Sequence, residues 1–361
     1  MTNNKDNYVL IMAGGVGSRF WPKSRNSFPK QFIDILGVGK SLLQLTYERF
    51  LNLCPAENIY ILSNDQYRCL IKDQIQNLSS TQILLEPSRN NTAPCIAYAT
   101  YKILKLNPKA NIIVAPSDHL ILKEEAFLNK LKQALSFTAS NDALVTLGIR
   151  PTRPDTGYGY INFEHQGDSG LHRVIQFMEK PLLEKAKVFI DSGNYLWNAG
   201  IFIWSAKSIY SAFNKHAPEI DAIFKSGMPY YNTDKEIGFI KDYYPASPNI
   251  SIDYAILEKA GNVFTIPADI GWSDLGTWAS LHAVKELDTN NNVSNSKRII
   301  LENTENCIIH LPESKVAVIK GMQDYIIVDE DDVLLIYPKS EEQNIKKVAA
   351  QTAVIFGTQY L

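Results

Sequence analysis

The segment Ala13-Gly14-Gly15-Val16-Gly17-Ser18-Arg19, followed by Pro29-Lys30-Gln31-Phe32, has the residue types needed to meet an anion. Glycines let backbone N–H groups turn toward a phosphate and let it approach without a Cβ clash. Arg19 can grip phosphate oxygens with a bidentate fork, and Lys30 adds a mobile point charge. Gly14, Gly15, Gly17, Arg19 and Lys30 together describe a cradle for a triphosphate. Spacing excludes two other anion-binding loops. A dinucleotide fingerprint needs Gly-x-Gly-x-x-Gly/Ala, and after Gly15 and Gly17 the third position is Phe20. Gly39-Lys40-Ser41 matches the end of a Walker A loop, but Asp34 stands at its first glycine position. That tripeptide reads as a loop entering a helix.

Acidic side chains follow. Glu86 begins Glu86-Pro87-Ser88-Arg89-Asn90-Asn91-Thr92-Ala93-Pro94, where Pro94 suits an early helical position and Thr92 a cap. Capping does not explain Glu86. A carboxylate can accept two hydrogen bonds from the N1 and N2 edge of guanine, a donor pair adenine lacks. Asp118, in Ala115-Pro116-Ser117-Asp118-His119, can hold a divalent metal on bound phosphates, since Mg²⁺ takes one or two carboxylates and fills its shell with phosphate and water. Taken alone, a strand-end Asp more often caps the next helix. His119 reads as a packed or orienting residue. Glu179 and Lys180 are adjacent, a pairing usually inert on surfaces, yet Pro181 ends their strand abruptly and leaves both at a sheet edge. Asp329-Glu330-Asp331-Asp332 reads as a solvated turn.

The elements that must position these residues alternate in the first half. Strands are expected at Tyr8–Met12, Asn58–Leu62, Gln82–Leu85, Ile112–Ala115 and Ala143–Leu147. Helices are expected at Ser41–Leu53, Asp65–Leu78, Ala93–Leu106 and Glu124–Thr138. This order implies an α/β fold with a mostly parallel sheet covered on both faces, with ligands beyond the carboxyl ends of the strands. After Arg150 the rhythm changes. Tyr158–Phe163 and Arg173–Met178 read as antiparallel strands joined by a Gly-containing turn, and Trp197–Trp204 as another strand. Helices are read at Ser205–Lys225, Asp234–Lys241, Ile252–Ala260 and Thr277–Leu287. The Asn-rich 288–296 reads as a linker between an α/β domain, 1–287, and a small β-rich domain, 297–361. The latter holds short strands at Arg298–Leu301, Cys307–His310, Lys315–Ile319, Tyr325–Val328 and Val333–Tyr337, closed by a helix at Glu341–Gln351.

Bulk properties agree with this picture. The 361 residues are 45% hydrophobic and 20% charged, ordinary for a globular protein. With 36 Lys+Arg against 38 Asp+Glu, the net charge of −2 argues against a coat for nucleic acid or an anionic membrane. Four cysteines without Cys-x-x-Cys spacing read as reduced, mostly buried thiols. The polar Met1 to Asn7 has no signal-peptide core, and no apolar run reaches the roughly 18 residues of a membrane span. A cytoplasmic location is expected.

Gly-Gly-Val-Gly-Ser-Arg, Pro22, Ser24-Arg25 and Pro29-Lys30-Gln31-Phe32 resemble the signature of sugar-nucleotide pyrophosphorylases, most of all bacterial mannose-1-phosphate guanylyltransferases. The resemblance runs from about Val9 to the end and is densest before Leu281. It implies a Rossmann-like mixed, mostly parallel sheet followed by a small left-handed β-helix-like domain, and transfer of GMP from GTP to α-D-mannose 1-phosphate. It implies that Glu86, Asn90 and Thr92 lie at guanine. Gly159, Glu179, Asn198, Gly200 and Asp253 would face the sugar, and Lys180 its phosphate. Asp118 and Asp274, the latter in Gly271-Trp272-Ser273-Asp274-Leu275-Gly276, would hold Mg²⁺ or another divalent cation. Arg19 and Lys30 would stabilise departing pyrophosphate. Asp118 and Asp274 lie far apart in sequence, so only folding can unite them.

Other readings fit less well. They are a pyrophosphorylase for another sugar phosphate, a non-catalytic sugar-nucleotide-binding homologue, and a nicotinamide dehydrogenase, which the broken fingerprint disfavours. Longer family members carry a cupin-like isomerase domain. No His-rich cupin pattern occurs here, so isomerase activity is not expected; the strands after Ser296 either pack on the catalytic domain or form the interface of a homodimer.

Overall fold

Continuous apolar runs make the central strands of this protein, because a strand covered on both faces has no solvent side to alternate with. Val9, Leu10 and Ile11 are all fully buried in β1 (Asn7–Met12). The computed structural model describes residues 4–165 and 170–361. By their contacts these divide into two compact units, Met1–Gly14 with Thr46–Ser117 and Ile121–Trp272, and Gly15–Leu45 with Asp118–Leu120 and Ser273–Leu361. The units therefore do not follow the expected division at 288–296: the loop after β1 and residues 118–120 group with the C-terminal segment.

In the first half the strands are β1, β2 (Ile59–Asn64), β3 (Ile83–Glu86), β4 (Asn111–Pro116), a short β5 (Leu120–Ile121) and β6 (Leu144–Ile149). The helices between them are α1 (Leu42–Phe50), α2 (Arg68–Gln74), α3 (Thr92–Leu106) and α4 (Glu124–Thr138), close to expectation. Then come β7 (Tyr160–Glu164), β8 (His172–Met178), α5 (Leu183–Ser192), β9 (Tyr195–Ser205), α6 (Ala206–His216), α7 (Pro218–Ser226), α8 (Glu236–Tyr243), β10 (Val263–Pro267) and a two-residue β11 (Trp272–Ser273). β7 and β8 are antiparallel as expected, and part of the turn expected between them lies outside the described residues. α5 and β10 were not legible in the sequence. The helix expected over Ser205–Lys225 is two, broken at Ala217-Pro218, because proline has no N–H and holds its predecessor out of helical geometry (Ala217 φ −140°, ψ 60°).

The first unit is built on a nine-stranded sheet, order β3-β2-β1-β4-β9-β6-β10-β8-β7. β3, β2, β1 and β4 are parallel, and so are β6 and β10. β9 runs antiparallel to β4, β6 and β7. β8 runs antiparallel to β10 and β7, so seven of the nine strands of this sheet point one way and only β8 and β9 oppose them: the sheet is mixed and, in strand direction, mostly parallel. Between Thr146 and Gly148 the β6–β9 register shifts, and Gly200 there has φ +67°. Such a bulge re-aims neighbouring side chains. α3 packs Ile96, Tyr101 and Ile103 into a core with Val114, Phe202 and Trp204.

The second unit carries α9 (Trp278–His282), β12 (Val293–Ser294), β13 (Ile299–Glu302), β14 (Ile308–His310), β15 (Ala317–Lys320), β16 (Tyr325–Glu330), β17 (Val333–Pro338) and α10 (Ile345–Phe356). Ile299 pairs in parallel with Ala317, Glu305 with Gln323 and Ile308 with Ile326, eighteen residues apart each time. Two ladders and one isolated bridge repeating at the same offset describe a coil of short parallel strands. β17 closes it by folding back antiparallel on β16. The segment read as a linker is part of this coil: β12 pairs in parallel with β14. Asn292 is buried, its Oδ1 accepts from Cys307 N at 2.9 Å, and its Nδ2 donates to Thr304 O at 2.9 Å. An Asn-rich run looks like a linker until these long-range partners are known. Cys54, Cys95 and Cys307 are buried and Cys69 is exposed; none forms a disulfide. Among the described residues no helix is long and apolar enough to cross a membrane.

Asn292→Ala leaves a buried N–H and a buried carbonyl unpaired, so unfolding of the full chain in urea is expected to show a loss of about 2–3 kcal/mol. Asn290→Ala, at an exposed side chain, is expected to stay within about 0.5 kcal/mol of the parent; equal behaviour of the two variants would restore the linker reading.

Candidate active site

The loop after β1 is shaped by glycine and clamped by side chains. Gly17 has φ +62°, and a Cβ there would stand 2.7 Å from Lys30 Cβ, so no other residue fits. Gln31 Nε2 donates to Gly15 O at 2.8 Å and Ser24 Oγ to Val16 O at 3.1 Å. The decoy Gly39-Lys40-Ser41 ends in a helix cap: Ser41 Oγ accepts from Gln44 N at 3.2 Å at the start of α1.

A cavity of about 280 Å³ in the second unit is lined by Arg19, Lys30, Asp118, His119, Asp274 and Lys346, among others. Asp118 and Asp274, 156 positions apart by their numbers (274 − 118), therefore meet, as the sequence demanded. Lys30 joins them. Its Nζ donates to Asp118 Oδ2 at 2.8 Å, to the backbone carbonyl of Asp274 at 2.8 Å and to that of Leu275 at 3.0 Å. An ammonium has three donors, and all three are taken. Lys30 thus differs from the mobile phosphate ligand expected of it: it is a buried tie between two segments. Burial pushes the Asp118 carboxyl up, but the charges of Lys30 and His119 outweigh this and hold it below its ordinary value. Asp274 Oδ1 accepts from Gly276 N at 3.0 Å.

Glu86 ends β3 in the first unit, buried, with Oε2 accepting from Tyr244 O–H at 2.6 Å. A Cβ built on Gly14 would lie 3.6 Å from Glu86 Oε1. Burial raises the Glu86 pKa to about 7, against the smaller lowering by Tyr244 and Arg89. Its neighbours do other work than expected. Asn90 Nδ2 donates to Ser247 O at 2.7 Å and so anchors the 244–247 turn. The cap of α3 is Asn91, with φ +68° and its side chain on Thr92 N. Thr92 is the first helical residue, and its hydroxyl accepts from Ile252 N at 2.9 Å.

The residues assigned to sugar converge in the same unit. Asn198 is fixed at both ends of its amide: Oδ1 accepts from Thr146 Oγ1 at 3.0 Å and Gly200 N at 3.1 Å, and Nδ2 donates to Asp253 Oδ1 at 3.1 Å. A Cβ on Gly159 would stand 2.5 Å from Glu179 Oε2, so glycine is required for Glu179 to keep this place. Glu179 is mostly buried and pairs with the exposed Lys180 at 2.7 Å. Lys180 holds φ +46°, an unusual backbone for a side-chain-bearing residue, with its N–H on Tyr158 O. Burial, then the nearby charge of Glu179, raises the Asp253 pKa to about 6.

Sequence reasoning missed four participants: Lys346 in the phosphate-sized cavity, Tyr244 on Glu86, Thr146 on Asn198 and Gln31 as the loop clamp. Only Gln31 had a local signal, its place beside Lys30. The acidic turn is not simply solvated either. Lys23 pairs with Glu330 at 3.2 Å, Arg25 Nη1 donates to Asp332 Oδ2 at 2.7 Å, and Lys315 pairs with Asp329. Among the described residues no cluster of three or more His, Cys, Asp or Glu could hold a metal ion alone.

Residues 8–291 match the family described as Nucleotidyl transferase, and the chain belongs to that family. It is a nucleotidyltransferase. The mannose-1-phosphate guanylyltransferase of Salmonella montevideo is 39% identical to it over 348 residues, covering 94% of this chain and 72% of that protein. The enzyme of the same name from Escherichia coli K12 is 35% identical over 355 residues, covering 95% and 73%. A solved structure from Thermus thermophilus, described as a mannose-1-phosphate geranyltransferase, matches with a TM-score of 0.87 at 29% identity and covers 96% of this chain and 99% of that one.

The raised pKa of Glu86 has a stability consequence. The fold favours the protonated carboxyl, so its contribution is complete below the ordinary value near 4.5 and is lost as pH rises through about 7. Glu86→Gln keeps an acceptor for Tyr244 and removes the cost of ionisation. Its stability relative to the parent is expected to rise by about 1–3 kcal/mol between pH 5 and pH 8, read by urea unfolding; a pH-independent difference would disprove the burial argument.

Proposed function

We propose that this chain transfers GMP from GTP to α-D-mannose 1-phosphate, forming GDP-mannose and pyrophosphate. The meeting of Asp118 and Asp274 in one cavity with Arg19 and Lys30 carries this reading. In the proposed reaction an oxygen of the sugar phosphate bonds to the α-phosphorus of GTP, and the bond from that phosphorus to the bridging oxygen breaks. Pyrophosphate leaves with the electron pair. The nucleophile is already anionic, so no general base is required; the chemistry needs alignment and charge neutralisation.

The donor set suits a divalent cation of the Mg²⁺ kind. Two carboxylates lining a small polar cavity supply hard oxygen ligands, and such an ion draws the rest of its shell from phosphate and water. Asp118 and Asp274 would hold it, and when bound it screens the repulsion between the two anions. Lys30 keeps both carboxylates in position. Arg19 takes charge on the pyrophosphate portion. Lys180 holds the attacking phosphate, while Glu179, Asn198 and Asp253 fix the sugar hydroxyls and Gly159 and Gly200 leave room for the ring. Gly14, Gly15 and Gly17 turn backbone N–H groups to the phosphates.

Glu86 reads guanine, accepting from its N1 and N2 donors. Thr92 and Asn90 serve this role by shaping the loop around it. Double acceptance needs the ionised carboxylate. A cytoplasmic location and a homodimer complete the proposal. The dimer is supported by the exposed apolar Ile300, Val318 and Leu334 on the coil. The coil itself we read as a left-handed β-helix, the hand being what the family resemblance implies and the coil being supported by the eighteen-residue offset between its paired strands.

Pyrophosphate release is expected with GTP and mannose 1-phosphate, in preference to ATP, UTP or dTTP and to glucose 1-phosphate. Asp274→Asn is expected to lower kcat by about 10²–10³-fold with little change in Tm; near-parental turnover would remove Asp274 from the site. The KM for GTP is expected to fall as pH rises through about 7, following ionisation of Glu86. In Glu86→Gln the KM should be high at every pH, and an unchanged pH profile in that variant would take the base-reading role away from Glu86.

A further inference from the structure

Lys30, the cation that the motif offers for the leaving phosphate, is fully engaged. Its three donors are committed to Asp118 Oδ2 and the carbonyls of Asp274 and Leu275. Two other cations line the same cavity, Arg19 and Lys346. Among the described residues, neither side chain makes a hydrogen bond or ion pair with the protein. Both are exposed, as a group waiting for a diffusible anion should be.

The placement of Lys346 is built into the fold. It is the second residue of α10, and the residues around it in the sequence are buried anchors: Ile345 is fully buried and Ala349, one turn on, nearly so. Both pack in one core with Phe20, Trp21, Leu275 and Trp278. Residues i and i+4 share a helix face, so this face is held against the elements that carry Arg19 and Asp274. Two bonds reinforce it: Glu342 Oε2 accepts from Ala279 N at 3.0 Å, and Trp21 Nε1 donates to Tyr360 O at 2.6 Å. The next lysine, Lys347, is exposed but does not line the cavity.

We propose that Lys346 is the second mobile cation of the polyphosphate site and binds the β- and γ-phosphates of the nucleoside triphosphate, the part released as pyrophosphate. The C-terminal segment thereby completes the phosphate site in cis. Lys30 is a positioning residue, and Arg19 with Lys346 forms the anion clamp. This inference rests on the proposed reaction for its substrate and on the cavity for its chemistry.

The test compares Lys346→Gln, Lys346→Arg and, as control, Lys347→Gln in the full chain. In the forward direction Lys346→Gln should raise the KM for GTP about 10- to 100-fold, the equivalent of one charge-assisted hydrogen bond. The KM for mannose 1-phosphate should stay within about twofold. In the reverse direction, with GDP-mannose and inorganic pyrophosphate, the KM for pyrophosphate should rise by a similar factor. Lys346→Arg should recover most of both losses, and Lys347→Gln should match the parent, as should the Tm of every variant. A Lys346→Gln enzyme with GTP and pyrophosphate KM values within twofold of the parent would overturn the proposal. A parent that makes no GDP-mannose would instead refute the proposed reaction. Calorimetric titration of inorganic pyrophosphate into parent and Lys346→Gln then still decides the role of Lys346: weaker binding by the variant supports it, and equal binding overturns it.

Discussion

The phosphate cavity depends on one ammonium group. Taking the Lys30 charge out of water costs several kcal/mol, and the cost is offset because each of its three N–H groups meets an oxygen. Those oxygens come from two segments that share no local sequence, the 118–120 segment and the 274–275 loop. Lys30 itself sits in a turn fixed by Pro29 before it and by buried Phe32 and Ile33 after it. A strong bond to two backbone carbonyls pins a loop rather than a single side chain. The carboxylate of Asp274 is therefore delivered by its backbone, while that of Asp118 is delivered by direct contact. Removing Lys30 would leave Asp118 without its main counter-charge and the loop without its pin. The loss would fall on geometry and on charge together.

Local patterns made part of this legible. Strands and helices in the first half follow from apolar runs and turn residues, because those signals live within a few residues. The direction of β9 does not: an apolar run reads the same forwards and backwards, and only its neighbours in the sheet decide which way it lies. Asn292 shows the same limit for a side chain. Its composition says loop, while its partners at Thr304 and Cys307 make it a strut. In the site, the glycines, Arg19, Glu86 and the two aspartates were visible as types in suggestive places. What each amine or amide is bonded to was not. Lys30 and Asn90 both carry donors suited to a ligand, and both spend them on the protein. Lys346 and Lys347 are indistinguishable as letters. They differ only in which side of α10 faces the cavity.

The two raised carboxyls show how burial and role are connected. Glu86 and Asp253 lie where water is largely excluded, so each resists ionisation until a partner compensates it. Tyr244 gives Glu86 a hydrogen bond, and Asn198 and Ser251 give theirs to Asp253. None of these partners carries a positive charge. A ligand that brings N–H or O–H donors can complete the compensation, and part of its binding energy is then spent on ionising the carboxyl. Such a site discriminates against a ligand without donors more sharply than an already ionised one, since the uncompensated group stays protonated and accepts poorly.

Within the near-zero net charge, the charges around the site are paired locally. Asp118 is matched by Lys30, Glu179 by Lys180, and Glu330 and Asp332 by Lys23 and Arg25. Exposed pairs of this kind contribute little to stability individually. Those between the residues after the glycine loop and the β16–β17 turn join two parts of the chain that also share the core of Phe20, Trp278, Ile326 and Ile345. A coil appended for assembly alone would have no need to share a core with a phosphate loop. Sharing it means that the position of α10, and with it of Lys346, is set by the same packing that sets Arg19 and Asp274. Any substitution that loosens this core should therefore disturb anion binding before it unfolds the sheet, because the nine strands of the first unit keep a separate core around Tyr101 and Trp204.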